Sequence, residues 1–301
     1  MFRTGVATGG LKGQSLRSHE GSGFWMSNHT IVSIQSEVVR GHVGNSIARF
    51  ALQRLGCNVF CLPTVLLSNH PGHGRAFGEV TEPSKLASLF DGLQFHRWLA
   101  GVDGVLTGYL GEPAQSGIAA RVVREVKARN PKAVYLCDPV FGDDNGAYAR
   151  LGVAEAMARD LLPLADIAAP NRFELSSLTS QRINSPIDAV RAARLLGVPE
   201  VVVTSVPHDG LIANVAVCLQ GAWVATVARH ENVPHGTGDL LSALYLHFRL
   251  GGADVPSALG SAVSRVQSLI AKSLGLDELA LVERQSELVS PTINASVVPL
   301  N

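Results

Sequence analysis

Short runs of β-branched and apolar residues alternate with helix-length amphipathic segments along nearly all of this 301-residue chain. That beat constrains the fold more than any single motif. Strands are expected at 31–35, 59–62, 65–67, 104–107, 133–137, 166–169, 201–204, 211–218 and 223–227. Helices are expected at 43–55, 85–99, 115–129, 153–162, 172–178 and 186–196, with three more closing the chain. Strands separated by helices require right-handed crossovers and a mainly parallel sheet covered on both faces, a three-layer αβα arrangement. Only residues 219–222 separate the last two strands, which suits a hairpin, so the sheet should end in an antiparallel edge. No Pro/Gly linker or internal repeat divides 29–301, which reads as a single domain. Residues 1–28 are Gly-rich without apolar periodicity and read as a disordered N-terminal extension lacking the apolar core of a signal peptide.

With 46% hydrophobic residues the chain can bury a large core. Its 25 Lys+Arg balance 25 Asp+Glu without a basic stripe, which argues against a nucleic-acid partner. No apolar run approaches the roughly 18–20 residues needed to cross a bilayer, so no membrane association is expected. Cys57, Cys61, Cys137 and Cys218 are few for this length and suit reduced thiols in a cytoplasmic protein. Cys57 and Cys61 lack the second ligand pair of a zinc site.

The most informative motif is His235-Gly236-Thr237-Gly238-Asp239, which runs into the apolar helix carrying Leu240, Leu241 and Leu244. Gly236 and Gly238 let successive N–H groups converge at the helix amino end, where a phosphate fits. Asp239, in the first turn, could take a proton from a hydroxyl approaching a nucleotide γ-phosphate. Alone, the same residues describe an ordinary helix start. Polar residues at other strand ends add weight: Ser36, Ser68-Asn69-His70, Tyr109, Asp138, Asn171 and Thr204-Ser205 all fall where open α/β sheets bind ligands.

Several blocks together resemble the pyridoxal kinase family of the ribokinase-like superfamily. They are 33–36 running into 41–46, then 68–70, 106–110, 137–143, 165–167 with Pro170, Asn171 and Glu174, then 203–205 and the Gly-Thr-Gly-Asp turn. The resemblance spans about residues 31–272 and implies a ribokinase-like fold, with ATP-dependent phosphorylation of the 5′-hydroxyl of a B6 vitamer. It implies that Asp239 is the base and that Gly236, Thr237 and Gly238 form the anion hole. Ser36, Val43, His70, Tyr109 and Asp239 would contact the vitamer. Asp138, Asn171, Glu174, Thr204, Ser205, Gly236 and Gly238 would serve the nucleotide. Asp138 and Glu174 would hold Mg²⁺, with Asp143 in the same shell, and relatives are commonly homodimers.

Four positions depart from the family pattern. Glu37 replaces His, Leu67 replaces Phe, Pro71 replaces Thr, and Ala169 stands where some relatives carry Thr near a monovalent cation, leaving a K⁺ requirement open. Residues 143–150, rich in Gly, Asp and Asn, occupy the place of a flexible flap over ATP. Two alternatives stay open: a kinase for a related ring alcohol such as hydroxymethylpyrimidine, and a non-catalytic vitamer-binding homologue.

Overall fold

The computed structural model describes residues 28–300, so the expectation of a disordered 1–28 lies, except for Asn28, outside the described residues. The elements are β1 (Thr30–Arg40), α1 (Gly44–Arg54), β2 (Asn58–Asn69), β3 (Gly78–Val80), α2 (Pro83–Phe95), β4 (Gly104–Thr107), α3 (Gln115–Arg129), β5 (Val134–Cys137), β6 (Gly142–Asp143), β7 (Gly146–Ala147), α4 (Val153–Asp160) and β8 (Ile167–Ala168). They continue as α5 (Arg172–Thr179), α6 (Pro186–Leu195), β9 (Glu200–His208), β10 (Leu211–Cys218), β11 (Gly221–Val227), α7 (Thr237–Leu250), α8 (Val255–Ser273) and β12 (Val297–Pro299).

The main sheet runs β12-β11-β10-β9-β8-β5-β4-β1-β2-β3, with β6 and β7 forming a separate hairpin. The pairings from β2 through β1, β4, β5 and β8 to β9 are all parallel. Both faces are covered, which explains strands that are apolar at successive positions. Ile31, Leu106 and Leu136 point into one core with Ile47 of α1, Leu240 of α7 and Leu259 of α8. Their neighbours Val32, Val105 and Tyr135 enter the other core, built with Phe90, Val122, Met157, Leu175 and Val190 from α2 to α6. This is the expected three-layer αβα fold with an antiparallel edge.

Several expected boundaries are corrected. β2 runs unbroken through Pro63 where two strands were expected. The β1–β2 register slips between Gln35↔Pro63 and Glu37↔Leu66, and an interrupted ladder tolerates a residue without an N–H. The expected helix 85–99 ends at Phe95, because Arg97 takes a left-handed φ of 58° and the chain continues as a 3-10 turn at Trp98–Gly101. β9 extends to His208 and turns into β10 through Asp209 and Gly210, whose φ values of 47° and 78° suit a tight hairpin. Antiparallel pairing therefore runs from β9 to β12 rather than through a single hairpin, and β3 adds an antiparallel strand to β2 at the opposite edge. Two long helices, not three, follow residue 227; the remainder is a 3-10 turn at Gln285–Leu288 and the edge strand β12.

One polar clamp sets the height of α7 against the sheet. Glu200, buried at the start of β9, accepts from Tyr245 Oη at 2.7 Å and from Arg249 Nε and Nη2, both at 2.9 Å. Planar, two-pronged pairing of this kind combines charge with geometric specificity. The opposite end of α7 then stands at the carboxyl edge of the parallel strands. Removing the guanidinium leaves a buried carboxylate without its cation, so Arg249→Leu should cost about 3 kcal/mol. Urea denaturation should show a lower midpoint at unchanged slope.

Candidate active site

β1 is followed by β2 on one side, whereas the later parallel strands β4, β5 and β8 build outward on the other. Such a reversal opens a crevice at the strand carboxyl ends. Ser36 lies there, at the register slip of β1. Gly44 opens α1 with φ 53°, and a Cβ on it would come within 2.2 Å of Ser36 Oγ, so only glycine allows this approach.

The N–H of Gly44 donates to Asp239 Oδ2 at 2.8 Å. Asp239 sits in the first turn of α7, so the amino ends of α1 and α7 meet at one carboxylate. Gly236 precedes that turn with φ 93°, and its α-carbon packs against the His42 carbonyl, where a Cβ would lie 1.9 Å from the oxygen. The first N–H groups of α7, at Thr237, Gly238 and Asp239, have no acceptor within their own helix and can serve an anion. Burial pushes the Asp239 carboxyl up to about 6, with the Gly44 N–H opposing. The group remains partly open to the crevice, which keeps it reachable.

Asp138 follows β5 and is almost fully buried, with Oδ2 accepting from Ser242 Oγ of α7 at 2.7 Å. Burial, then Glu174 and Asp239, hold its carboxyl well above the usual range. Glu174 is 2% exposed. Its Oε1 accepts from Phe141 N at 3.0 Å and its Oε2 from Asn171 N at 2.9 Å. Burial is again the largest cause of its upward shift, to about 8, with the backbone N–H groups opposing. No lysine, arginine or histidine among the described residues forms an ion pair with Asp138 or Glu174.

Two more residues expected at the site lie on the β6–β7 hairpin and at the start of α5. Asp143 is exposed and accepts from Asn145 N at 2.8 Å. Asn171, expected on phosphate oxygens, accepts from Glu174 N at 2.9 Å and donates to Gly142 O at 2.8 Å through its side chain. These contacts cap α5 and tie down the β6–β7 hairpin. Thr204 bridges to Asn171, and Ser205 takes a left-handed φ of 61° beside the β9–β10 bulge, a backbone form non-glycine residues rarely adopt.

On the opposite wall, Val43 is buried at the cap of α1 and Tyr109 follows β4, half-buried. His70 caps a short turn at Pro71–His73, with Nδ1 accepting from Gly72 N at 3.1 Å, so the neutral ring carries its proton on Nε2. Burial, then His235 and His73, lower its pKa to about 4. Glu37 turns to Arg49 at 2.9 Å and Ser46 Oγ at 3.1 Å. The departure from the family's His thus resolves into a local ion pair.

Further residues join the site for which the sequence suggested no individual contact. Tyr148, just past β7, places its ring 6.5 Å from Tyr109, and desolvation followed by Glu174, Asp239 and Asp138 raises its phenol. His235 lies against His70 with ring centroids 4.1 Å apart. Gly44 and Ser242 hold the Asp239 and Asp138 carboxylates. An aromatic in the Gly/Asp-rich flap was the available signal for Tyr148; the others depend on contacts between distant segments.

Two buried acids with no cation beside an anion-binding helix end suit a divalent ion with oxygen ligands, since Mg²⁺ takes one or two carboxylates plus phosphate oxygens and water. Without metal, the raised carboxyls cost stability: the folded chain retains a proton that the unfolded chain, with its Asp pKa near 3.9, has already released. Stability contributed at this site therefore falls as pH rises from about 4. Metal-free Asp138→Asn should melt above the parent at pH 8, with the gap closing as pH falls to about 4 in a calorimetric series. A lower melting temperature at every pH would refute the electrostatic account.

A family model described as phosphomethylpyrimidine kinase matches residues 94–281. The pyridoxal kinase PdxY of Leifsonia xyli subsp. xyli is 37% identical over 271 residues, covering 87% of this chain and 96% of that protein. That of Burkholderia mallei is 38% identical over 276 residues, covering 87% and 95%. Among solved structures, pyridoxal kinase from Leishmania donovani in complex with ADP and pyridoxamine is similar at a TM-score of 0.84 and 32% identity, covering 90% of this chain and 99% of its own. The same enzyme with ADP and pyridoxine gives 0.85 and 32%. With the crevice, the two helix ends and the acidic pair described, these likenesses establish that the chain belongs to the pyridoxal kinase family.

Proposed function

We propose that this chain transfers the γ-phosphoryl group of ATP to the 5′-hydroxyl of pyridoxal, and also of pyridoxine and pyridoxamine, with residues 29–301 acting as one kinase domain. The observation that carries this reading is the position of Asp239, held by the Gly44 N–H where the amino ends of two helices meet.

Asp239 removes the proton as the 5′-oxygen attacks phosphorus in line with departing ADP. The Thr237 and Gly238 amides, with Gly236 shaping the turn, face the oxygens on which negative charge grows. Phosphoryl transfer has a loose transition state, so such positioned dipoles matter more than the strength of the base. Thr204 and Ser205 orient the phosphate chain. Asp138, and Glu174 through water, would hold Mg²⁺, which would neutralise the β- and γ-phosphate oxygens. Tyr148 on the flap and Tyr109 below it supply aromatic surface for a flat ring, while Ser36, Val43 and the Nε2–H of His70 offer edge contacts. We also assign the protein to the cytoplasm as a homodimer. The lack of any helix long and apolar enough to span a membrane among the described residues accords with that assignment, and light scattering tests the dimer.

A second reading is favoured by the name of the matching family model and by the altered pocket positions Leu67 and Pro71: a ring alcohol such as hydroxymethylpyrimidine as acceptor. Incubation with ATP, Mg²⁺ and each B6 vitamer or hydroxymethylpyrimidine, followed by product mass, separates the two. Absence of any phosphorylated vitamer would end the first.

Asp239→Asn should lower turnover by roughly 10²–10⁴ while ATP affinity, measured by calorimetry, stays near the parent's. Since the base must be ionised and burial raises its pKa to about 6, kcat/KM for pyridoxal should fall about tenfold per pH unit below that value. A profile flat down to pH 5 would remove Asp239 from the proton transfer.

A further inference from the structure

Glu278 follows α8 and lies far from every motif of the chain, yet its carboxylate reaches two loops of the site at once. Its Oε2 accepts from His42 N at 3.2 Å, and its Oε1 lies 3.0 Å from His73 Nε2. Both of those last two atoms are buried and make no hydrogen bond among the described residues, so they meet at ion-pair distance alone. Two glycines make room for the arrangement. A Cβ on Gly41 would come within 2.7 Å of Glu278 Oε1, and one on Gly72 within 2.3 Å of His235 Nε2.

Each partner of Glu278 belongs to a different half of the site. The His42 peptide is gripped on both sides, its N–H by Glu278 and its carbonyl by the close approach of Gly236, two residues before the Gly44 N–H that holds Asp239. His73 closes the short turn capped by His70, whose ring lies against His235. The foundation is rigid: Leu279 and Leu281 are buried in the core beside α8, and Ala280 N donates to Ser273 Oγ at 2.9 Å.

We propose that Glu278 is a positioning residue that fastens the His70 turn onto the turn holding the catalytic base, and so sets vitamer affinity separately from nucleotide affinity. This deepens the kinase reading above and rests on it for its kinetic arm. Glu278 touches neither reactant and acts through His73 and His42. A carboxylate shared between two loops stabilises their closed spacing before any ligand arrives, which lowers the ordering cost of binding.

The test uses the full chain with Glu278→Ala, Glu278→Gln, His73→Ala and the double alanine variant. Glu278→Ala and His73→Ala should each raise KM for pyridoxal about fivefold or more, with KM for ATP within about twofold of the parent. The double variant should be no worse than the poorer single one, the mark of two groups acting as a unit. Glu278→Gln, which keeps an acceptor for the His42 N–H, should retain kcat, whereas Glu278→Ala should lose it several-fold. Amide exchange over residues 70–78 should accelerate in both alanine variants while α8 keeps its protection. Unchanged KM for pyridoxal, multiplicative effects in the double variant, equal rises in both KM values, or unchanged exchange over 70–78 would each overturn the assignment. If the parent phosphorylates no vitamer, the kinase reading fails on its own, and the exchange measurement still decides whether Glu278 fastens the loop.

Discussion

The contact between the Gly44 N–H and the Asp239 carboxylate is the constraint from which the rest of the site follows. It brings the amino end of α1, fed by β1, against the amino end of α7, which comes from the far side of the antiparallel edge. Helix amino ends carry partial positive charge and unsatisfied N–H groups, so their meeting point favours negative charge. Asp239 occupies part of that field, and the remaining amides are left for a phosphate. Everything that fixes these two helices bears on the same point: the Glu200 clamp at the foot of α7, the glycine approach to Ser36, and the His42 peptide packed on Gly236.

Against this attraction stands a repulsion built into the same crevice. Burial raises the carboxyls of Asp138, Glu174 and Asp239, and the charge of Asp239 raises the other two further, with Glu174 adding to Asp138. A site tuned for stability alone would not gather three acids without a cation. The arrangement makes sense as a receptor for a metal–phosphate complex, whose charge offsets the carboxylates and whose oxygens take up the helix N–H groups. The opposite wall is neutral by comparison, with the uncharged imidazole of His70 and the rings of Tyr109 and Tyr148 suited to a flat heterocycle.

The layer architecture was legible because buried parallel strands must be apolar on both faces, and the alternation with helices shows in the chain itself. The strand-end positions of Ser36, Tyr109 and Asp138 were legible for the same reason, and Asp239 from its glycine-flanked helix start. Boundaries failed where local geometry overrode pattern: Pro63 is tolerated inside β2 only because a register slip removes the need for its N–H. The Asp209-Gly210 turn carried a readable hairpin signal that lengthens β9 beyond its expected end. Side-chain roles were hardest to read. The capping of α5 by Asn171 was not anticipated, and Glu278 carried no local signal because its partners lie more than two hundred positions away in the chain.

The most direct test is a structure of the protein with ADP, Mg²⁺ and pyridoxal. The 5′-oxygen should lie within about 2.6–3.2 Å of an Asp239 carboxylate oxygen, on the side facing the first amides of α7. A vitamer bound with its 5′-oxygen turned away from Asp239, with another group in reach of that proton, would contradict the account.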